Sequence, residues 1–479
     1  MGAVAAGAGR GRRLGPDRLL PAGGAAARPR LRPGRLAAAV AVLPLLRYRS
    51  AAGPGLAPDQ RETDPMNSQP PGNSEQTGAI LASRFSDPAA LILAALCLVA
   101  WLGAWNYARS FPGIDFYVAW VVVDATREGT GHDVYTQEGR YRLGREYRAK
   151  AMSGQPGSRQ AEAAEFVSYL HSSATPFLYA VVGLVHSGDF ERDLATWQAL
   201  SLAGFTLGLL VFARLLGLSP AAGLALLLPC LVWLSALHSD LRVGNVNSFQ
   251  LGLVGLVFWL QSRDAAARFG LLAGLVAALT VLFKPNLAPM PLLLLGAWLV
   301  RGQWRKLLNG STGMASGVLI ALAWSGIFFG GLGVWSDWLR DLQSLMGRNF
   351  PSESGNFNAA NVLGLHFGGL SQAWLALALC ALVLAFLWWG RRLAGAADGM
   401  HDRAECGQLL GLACVIQILS SPLVWVHYFV LAVPLLVVAF RPWSGSARPG
   451  LASLLVLRLL PVLSLLLLLE GPLAGWLAS

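Results

Sequence analysis

Long apolar runs, separated by short polar turns, repeat along the chain from about residue 88 to residue 470. The runs are continuous and near the length of about 20 residues that a helix needs to cross a 30 Å hydrocarbon core. They lack the alternation, in segments of about ten residues, that is typical of membrane β-barrels. The pattern therefore predicts an all-α, polytopic membrane protein. The candidate spans lie near 88–107, 174–186, 194–213, 220–238, 246–261, 269–284, 286–300, 311–333, 373–390, 405–422, 425–440 and 450–469.

Two long polar connections interrupt this pattern, at about 108–173 and 334–372, whereas tight turns join the other runs. No soluble domain of ordinary size remains, so any chemistry must come from these two loops and the helix ends that face them. The runs 174–186 and 286–300 are too short to cross a bilayer unaided. We predict a single bundle of about 10 to 12 transmembrane helices over residues 85–470, with both long loops on the extracytoplasmic face.

Composition supports the membrane assignment and narrows the chemistry. Hydrophobic residues make up 54% of the chain and charged residues 13%, against roughly 25% charged in soluble domains. This excludes a disordered protein and an ordinary soluble enzyme. The five cysteines are scattered without a CxxC pair, and the histidines lack the spacing of metal ligands. No phosphate-binding loop, dinucleotide fingerprint or serine-hydrolase motif occurs. We therefore expect neither a metal nor a cofactor.

The high net charge of +11 arises mainly at the N-terminus. The first 65 residues hold eleven arginines against four acidic residues, which leaves only +4 for the rest of the chain and gives little support to nucleic-acid binding. Residues 1–80 are predicted to form a disordered, basic, low-complexity tail. The stretch 36–46 also fits the apolar part of a signal peptide, and Met66 fits an alternative translation start, so three explanations stay open.

Basic residues near the helix ends predict the orientation of the bundle. By this rule the turns at 261–268, 301–306 and 390–403 face the cytoplasm. The two long loops then lie on the opposite side. Arg242 and Asn247 join them there only if one of the short runs fails to cross, which the sequence leaves open.

An acidic residue, Asp115, follows the first apolar run in the segment FPGIDFYVAW. Residues 116–126 have the pattern of an amphipathic helix at the membrane surface, where a lipid substrate meets a water-soluble one. A carboxylate held there is placed to act as a general base. A carboxylate in the first turn of a helix also stabilises the positive end of the helix dipole, so this structural explanation stays open.

A lysine, Lys284, separates two apolar runs and is followed at once by proline. The chain has only two other lysines, Lys150 and Lys306. Ionisable groups among membrane helices are costly to bury and usually functional, which favours contact with a phosphate. Snorkelling of the ammonium to the interface is the structural alternative.

Two further polar segments, SDLRVGNVNSFQ and SPLVWVHY, enter apolar runs. The first offers a cation and amides, and the second clusters aromatic residues and a histidine at a helix start. Aromatic residues alone would form an interfacial belt, whereas the histidine adds a hydrogen-bonding group for an anion or a sugar hydroxyl. The residues concerned are Arg242, Asn245, Asn247, Gln250, Trp425, His427 and Tyr428.

The order of these features resembles that in a known family. An Asp after the first helix is followed by the string TPFLY, by G-N-x-N, by a Lys-Pro hairpin, by an Asn-rich loop and by S-P-x-x-W-x-H-Y. Over about residues 85–470 the chain resembles the integral membrane glycosyltransferases of family 87, which are related to polyprenol-phosphate-mannose-dependent α-mannosyltransferases. Its GNVN string departs from the more usual GQxN.

The resemblance implies a GT-C type fold and a polyprenyl-phosphate sugar donor, with mannose the commonest sugar in the family. It also implies that Asp115 is the general base. We expect the protein in the inner membrane of a bacterium. Its partners would be the lipid bilayer, the lipid-linked sugar and a glycan or glycolipid acceptor.

Elementary chemistry agrees with that assignment. A sugar on a lipid phosphate has a good leaving group and needs no general acid, unlike the substrates of enzymes with paired carboxylates. One base and cations at the developing phosphate charge suffice. We predict Asp115 as the base and Lys284, His427 and Arg242 at the donor phosphate. The three amides, Trp425 and Tyr428 are predicted to contact substrate.

Two other function classes stay open. A transporter or flippase would suit broken helices with ions at mid-bilayer, although no inverted repeat is apparent in the sequence. A membrane acyl- or phosphotransferase would need an HxxxxD pair in a cytoplasmic loop, and the chain has none there. The position of the polar groups separates the first alternative from the enzyme, because an enzyme gathers them at one face, beneath the first long loop.

Overall fold

The computed structural model describes residues 88–154, 157–167, 169–170, 174–263, 267–346, 356–358, 399–421 and 423–440. Helices make up 81% of these residues, which contain 15 α-helices and no strand. This confirms the prediction of an all-α, polytopic membrane protein. The predicted basic tail and the predicted spans 373–390 and 450–469 lie outside the described residues.

Short connections join the described helices from Pro88 to Met346. The first eight are α1 (Pro88–Ala108), α2 (Ile114–Arg127), α3 (Gln137–Ser153), α4 (Arg159–Phe166), α5 (Pro176–Val182), α6 (Phe190–Leu215), α7 (Pro220–Trp233) and α8 (Ser235–Val243). The next seven are α9 (Asn247–Gln261), α10 (Ala267–Phe283), α11 (Pro289–Val300), α12 (Trp304–Phe329), α13 (Gly333–Met346), α14 (Gly399–Ser420) and α15 (Val433–Ala439). Two 3-10 segments, Pro285–Leu287 and Val426–Ala432, precede α11 and α15.

The predicted spans agree with the helices except where the backbone breaks. The runs predicted at 88–107 and 246–261 are confirmed as α1 and α9. The run predicted at 220–238 is instead two helices, α7 and α8, because the backbone is extended at Leu234. The run predicted at 425–440 begins as a 3-10 segment and becomes α-helical only at α15.

Three helices, α1, α6 and α12, are long and apolar enough to cross a membrane, and the bent pair α8–α9 is a fourth if it forms one span. Shorter apolar helices accompany them among the described residues, so the predicted number of spans stays a prediction. Helix α5 has seven residues, about 10 Å at 1.5 Å per residue, and cannot cross. Helix α5 lies within the predicted run 174–186. One such short run must fail to cross if Arg242 and Asn247 are to lie on the same side of the membrane as the first loop.

The exposed faces of the long spans are apolar. On α1, Leu91 and Val99 are 56% and 68% exposed, and on α12, Leu319 and Ile327 are 66% and 82% exposed. Extended apolar surface of this kind is rare on soluble monomers and marks contact with lipid or protein. Because these side chains lie on helices of spanning length, we assign their surroundings to acyl chains.

Glycines bring two of the spans into close contact. A Cβ atom built on Gly252 of α9 would lie 2.8 Å from the Cα of Gly204 in α6, and one on Gly255 would lie 2.9 Å from the Cα of Gly208. Small residues at such positions let helix backbones approach in a membrane, where tight packing drives association. The contact fixes the middle of α9 against α6.

The first long loop forms a helical layer of its own, made of α2, α3 and α4. Eight of the fourteen residues of α2 are buried, among them Phe116, Tyr117 and Trp120. They pack with Tyr147 of α3 and Trp197 of α6 in one hydrophobic cluster. The helix predicted at 116–126 is therefore present, but protein covers it where the sequence predicted a face against lipid. Helical periodicity shows an apolar face without showing what covers it.

The two long loops meet at the same end of the bundle. Arg140 of α3 forms an ion pair with Asp341 of α13, and the side chains are 4% and 5% exposed. Farther along the second loop, the amide of Phe357 donates to the carbonyl of Val424 at 2.7 Å, and Val424 N donates to Asn356 Oδ1 at 2.8 Å. Residues 356–358 of the second loop thus lie next to the segment Val426–Ala432. The side of the membrane that they face stays a prediction.

Candidate active site

Four parts of the chain meet where helices begin or break: the start of α2, the α8–α9 break, the end of α10 and the start of Val426–Ala432. Each contributes polar side chains in hydrogen-bonding distance of another. We call Asp115, Asn245, Asn247, Lys284 and His427 the polar cluster. The sequence predicted all five as site residues, and the structure brings them together.

Asn245 lies at the centre of the polar cluster. Its Nδ2 donates to Asp115 Oδ2 at 2.6 Å and lies 3.2 Å from His427 Nε2. Its Oδ1 accepts from Lys284 Nζ at 3.1 Å and from the amide of Val246 at 2.7 Å. One amide therefore joins a carboxylate to an ammonium without a direct ion pair between them.

Lys284 is held by a second amide and by an aromatic ring. Its Nζ donates to Asn247 Oδ1 at 3.0 Å and lies 4.3 Å from the ring centroid of Tyr428. A cation over an aromatic face is stabilised by the ring quadrupole. An ammonium has three N–H donors, and its hydrogen bonds within the described residues use two of them. The third can meet an anionic ligand.

The hydrogen bonds also fix the state of His427. The oxygen of Asn245 must face Lys284 and the Val246 amide, because both are donors. Its NH₂ group therefore faces His427, and Nε2 of that ring acts as the acceptor. An imidazole whose Nε2 accepts is neutral and carries its proton on Nδ1. In this arrangement His427 is a neutral hydrogen-bonding group, and its predicted place at the donor phosphate stays a prediction.

Two glycines allow the cluster to assemble. Gly113 precedes α2 with φ +64°, and Gly244 precedes Asn245 with φ +69°. A Cβ on Gly244 would lie 2.6 Å from the Cβ of Phe116, and one on Gly113 would lie 2.5 Å from Leu194. Both positions combine a left-handed backbone with a close neighbour, so only glycine fits there. The two glycines let the start of α2 approach the α8–α9 break, where the axes of α8 and α9 form an angle of 113°.

The surroundings of Asp115 suit a proton acceptor. It is the second residue of α2, after an N-cap glycine. Surrounding protein raises the pKa of its carboxyl above the ordinary 3.8, while the Asn245 hydrogen bond and the Lys284 charge oppose the rise. The side chain is nevertheless exposed to solvent, so an acceptor hydroxyl can reach it. A raised pKa makes a carboxylate a stronger base.

The other predicted site residues take different places. Gln250 is fully buried, and its Nε2 donates to the carbonyl of Lys284 at 3.3 Å and to Asn286 Oδ1 at 3.0 Å. It therefore holds the backbone at Lys284 in place. Arg242 is exposed, with its guanidinium 5.6 Å from the ring centroid of Phe111. Trp425 is half-buried, and its carbonyl accepts from the amide of Tyr428.

Sequence reasoning missed two polar residues beside the cluster, Asp240 and Asn286. Asp240 lies in α8 and is 0% exposed, and its Oδ1 accepts from Asn247 Nδ2 at 3.1 Å. In the sequence it is one of several polar residues in HSDLR, with nothing to mark it as buried. Asn286 directly follows the Lys-Pro pair, and its position in that motif was the available signal.

Comparison with known proteins places this geometry in a family. The family model described as glycosyltransferase family 87 matches residues 175–417, just over half of the 479-residue chain. The match includes Asn245, Asn247 and Lys284. Asp115 lies before the matched residues and His427 lies after them. Neither the curated proteins nor the solved structures that were searched gave a significant match. From the extent of the family match and the apolar helices that carry it, the chain belongs to glycosyltransferase family 87 and is a membrane glycosyltransferase.

Proposed function

We propose that the protein transfers a sugar, with mannose the first candidate, from a polyprenyl-phosphate donor to a glycan or glycolipid at the extracytoplasmic face of a bacterial inner membrane. The observation that carries the proposal is the amide bridge in which Asn245 joins Asp115 to Lys284. It holds a carboxylate and an ammonium in one hydrogen-bonded group at the ends of apolar helices. A lipid phosphate and a polar acceptor meet at such a place.

The reaction needs both groups. The oxygen of the acceptor hydroxyl forms a bond to the anomeric carbon, and Asp115 takes the proton of that hydroxyl. The bond between the anomeric carbon and the phosphate oxygen breaks, and its electron pair stays on the oxygen. A phosphodiester with one negative charge thereby becomes a phosphomonoester with a developing second charge. The ammonium of Lys284 stabilises that charge, which grows as the bond breaks.

The remaining residues have supporting roles in the proposal. Asn245 orients the carboxylate and, with Asn247, the ammonium. His427, as a neutral ring, and Tyr428 offer a hydrogen-bonding edge and a flat face to a sugar. Arg242 is exposed near the same helix break and adds positive charge at the entrance for an anionic donor. A metal or cofactor is not part of this mechanism, and its absence stays a prediction.

A transporter is the alternative from another class. It would gather its polar groups at broken helices near mid-bilayer. The polar cluster instead takes Asp115 from a helix of the first long loop, which is not one of the candidate spans, and the family match is to glycosyltransferases. Both observations favour the enzyme.

The test is a transfer assay with the full-length protein in lipid vesicles. Radiolabelled polyprenyl-phosphate mannose is offered with a membrane glycolipid extract as acceptor, and other polyprenyl-phosphate sugars and nucleotide sugars are offered in parallel. We expect label to enter the acceptor from a polyprenyl-phosphate sugar and not from a nucleotide sugar. Transfer from nucleotide sugars alone would contradict the donor class, and transfer from another lipid-linked sugar would replace mannose.

A further inference from the structure

A second carboxylate, which unlike Asp115 is buried, lies beside the polar cluster, and the reaction described above does not use it. Asp240 is 0% exposed and reaches Lys284 through Asn247, as Asp115 does through Asn245. We propose that Asp240 is a positioning residue, which fixes the side chain of Asn247 and thereby holds Lys284 ready for the donor phosphate. This inference rests on the proposed function.

Asp240 shapes the break from which both amides project. Its Oδ2 accepts from the backbone amide of Ser248 at 2.8 Å, and its own carbonyl accepts from the amide of Asn245 at 3.0 Å. Ser248 lies in the first turn of α9, where backbone N–H groups lack helical partners and a negative charge is favourable. The N-cap residue of α9 is Val246, whose apolar side chain cannot supply this hydrogen bond. Asp240 therefore caps α9 from the preceding helix.

The same carboxylate decides which way Asn247 faces. Asn247 Nδ2 lies 3.1 Å from Asp240 Oδ1 and 3.3 Å from the carbonyl oxygen of His427. Both neighbours are acceptors, so only the NH₂ end of the amide can point towards them. The amide oxygen is then left for Lys284. If the side-chain amide of Asn247 were rotated by 180°, its NH₂ group would face the Lys284 ammonium. Its oxygen would then face the oxygens of Asp240 and His427.

A neutral residue at position 240 weakens this arrangement. In Asp240→Asn, one side-chain atom becomes an NH₂ group, which must face either the Ser248 amide or the NH₂ of Asn247. Either choice sets donor against donor. In the second case only the His427 carbonyl would orient Asn247, and Lys284 would lose a fixed partner. We expect donor affinity to fall about tenfold, the size of one hydrogen bond to a charged group, with a smaller change in kcat.

The chain offers a matched control in Asp193. This carboxylate is also buried, at 1% exposed, and also accepts from one backbone amide and one side-chain N–H, those of Ser187 and Trp120, with the Ser187 hydroxyl as a further donor. Its hydrogen-bond partners include no residue of the polar cluster. Asp193→Asn thus repeats the loss of a buried carboxylate without touching the polar cluster.

The experiment measures KM for the polyprenyl-phosphate sugar, kcat, and the affinity for polyprenyl phosphate alone. Asp240→Asn and Asp193→Asn are each made in the native chain and in Lys284→Met. If Asp240 acts through the lysine, Asp240→Asn lowers donor affinity about tenfold in the native chain and less than about twofold in Lys284→Met, because coupled residues are not additive. Asp193→Asn leaves donor affinity unchanged in both.

Two results would overturn the inference. One is an equal loss of affinity from Asp240→Asn in both backgrounds, and the other is an equal loss from Asp193→Asn. If Asp240→Asn does not fold, judged by gel filtration and thermal melting, Asp240→Glu is used in its place, because glutamate keeps the negative charge but moves the carboxylate. The inference then requires that Asp240→Glu also lowers donor affinity in the native chain and has less effect in Lys284→Met. A native protein that neither binds polyprenyl phosphate nor transfers sugar from a polyprenyl-phosphate sugar refutes the proposed function itself, which separates the two failures.

Discussion

Helix α2 carries a carboxylate near each end, and the two have opposite surroundings. Near its end, Asp124 accepts from the Tyr147 hydroxyl at 2.8 Å and lies 3.0 Å from His186 Nε2. The other ring nitrogen of His186 lies 3.4 Å from Asp193, and these two side chains are 3% and 1% exposed. Near the start of α2, Asp115 is exposed and reaches Lys284 only through an amide.

The comparison separates stability from chemistry. In the Asp124–His186–Asp193 network, carboxylates and donors face one another directly and little solvent reaches them. Such a network rigidifies the layer that it joins. In the polar cluster, amides keep the opposite charges apart, so a carboxylate oxygen and an ammonium N–H remain for a ligand. We infer that the network holds α2 in place and that the polar cluster acts on substrate.

The largest expected effect is a difference in transfer rate between substitutions at the two ends of α2. Asp115→Asn keeps the size of the side chain but cannot accept a proton, and removal of a general base costs about 10²- to 10⁴-fold in rate. Asp124→Asn changes the matched residue of the network and should leave the transfer rate per folded molecule within a few-fold of the native rate. Initial rates of sugar transfer in vesicles measure both. Equal losses in the two variants would remove the distinction between the regions.

The next effect concerns the donor. Lys284→Met keeps an apolar stem and loses the charge, and a hydrogen bond to a charged group contributes about 1.5–3 kcal/mol. We expect KM for the lipid donor to rise by about one to two orders of magnitude while the protein still folds. Titration with polyprenyl phosphate checks this. A variant with native donor affinity would mean that Lys284 only snorkels to the interface.

A smaller effect is expected from the network. In Asp193→Asn, the N–H groups of Trp120 and Ser187 lose a charged acceptor, and an unsatisfied buried group costs about 1–3 kcal/mol. The midpoint of thermal unfolding should fall, whereas the transfer rate per folded molecule should not. Melting curves in detergent and rates at a temperature well below the midpoint provide the two readings. Loss of rate without loss of stability would place Asp193 in the catalytic machinery.

The smallest effect is a shift along the pH axis. Asp115 acts as a base only when it is deprotonated, so the rate should fall as the pH falls through its pKa, which protein surroundings raise above 3.8. The Lys284 charge lowers that pKa. In Lys284→Met the acid limb of the rate profile should therefore move to higher pH. Profiles measured at saturating donor test this, and a limb that stays in place or moves to lower pH contradicts it.

The sequence alone indicated the residues of the polar cluster, because charges and amides among apolar runs stand out. It did not show how they connect. The partners of Asn245 come from positions far apart in the chain, Asp115, Lys284 and His427, and only tertiary contacts decide which end of an amide faces which. The neutral state of His427 follows from those contacts, so it could not be predicted.

The same limit explains the differences in the fold. The apolar period of α2 predicted a helix correctly, yet the cover of that helix by α4, α5 and α6 depends on how the first loop folds back. Asp240 was missed because its burial comes from the α8–α9 break, and that break arises at Gly244, where the left-handed backbone is seen only in the structure. Local pattern identifies helices and unusual residues, whereas packing decides their roles.

The central claim is that Asp115 accepts the proton of the acceptor hydroxyl. The most direct test is Asp115→Ala in vesicles, assayed at saturating polyprenyl-phosphate sugar with and without added formate. We predict a rate loss of at least about 100-fold, partial recovery when formate supplies a carboxylate in the vacated space, and native affinity for polyprenyl phosphate throughout. A normally expressed Asp115→Ala protein that transfers sugar at more than about a tenth of the native rate would contradict the account.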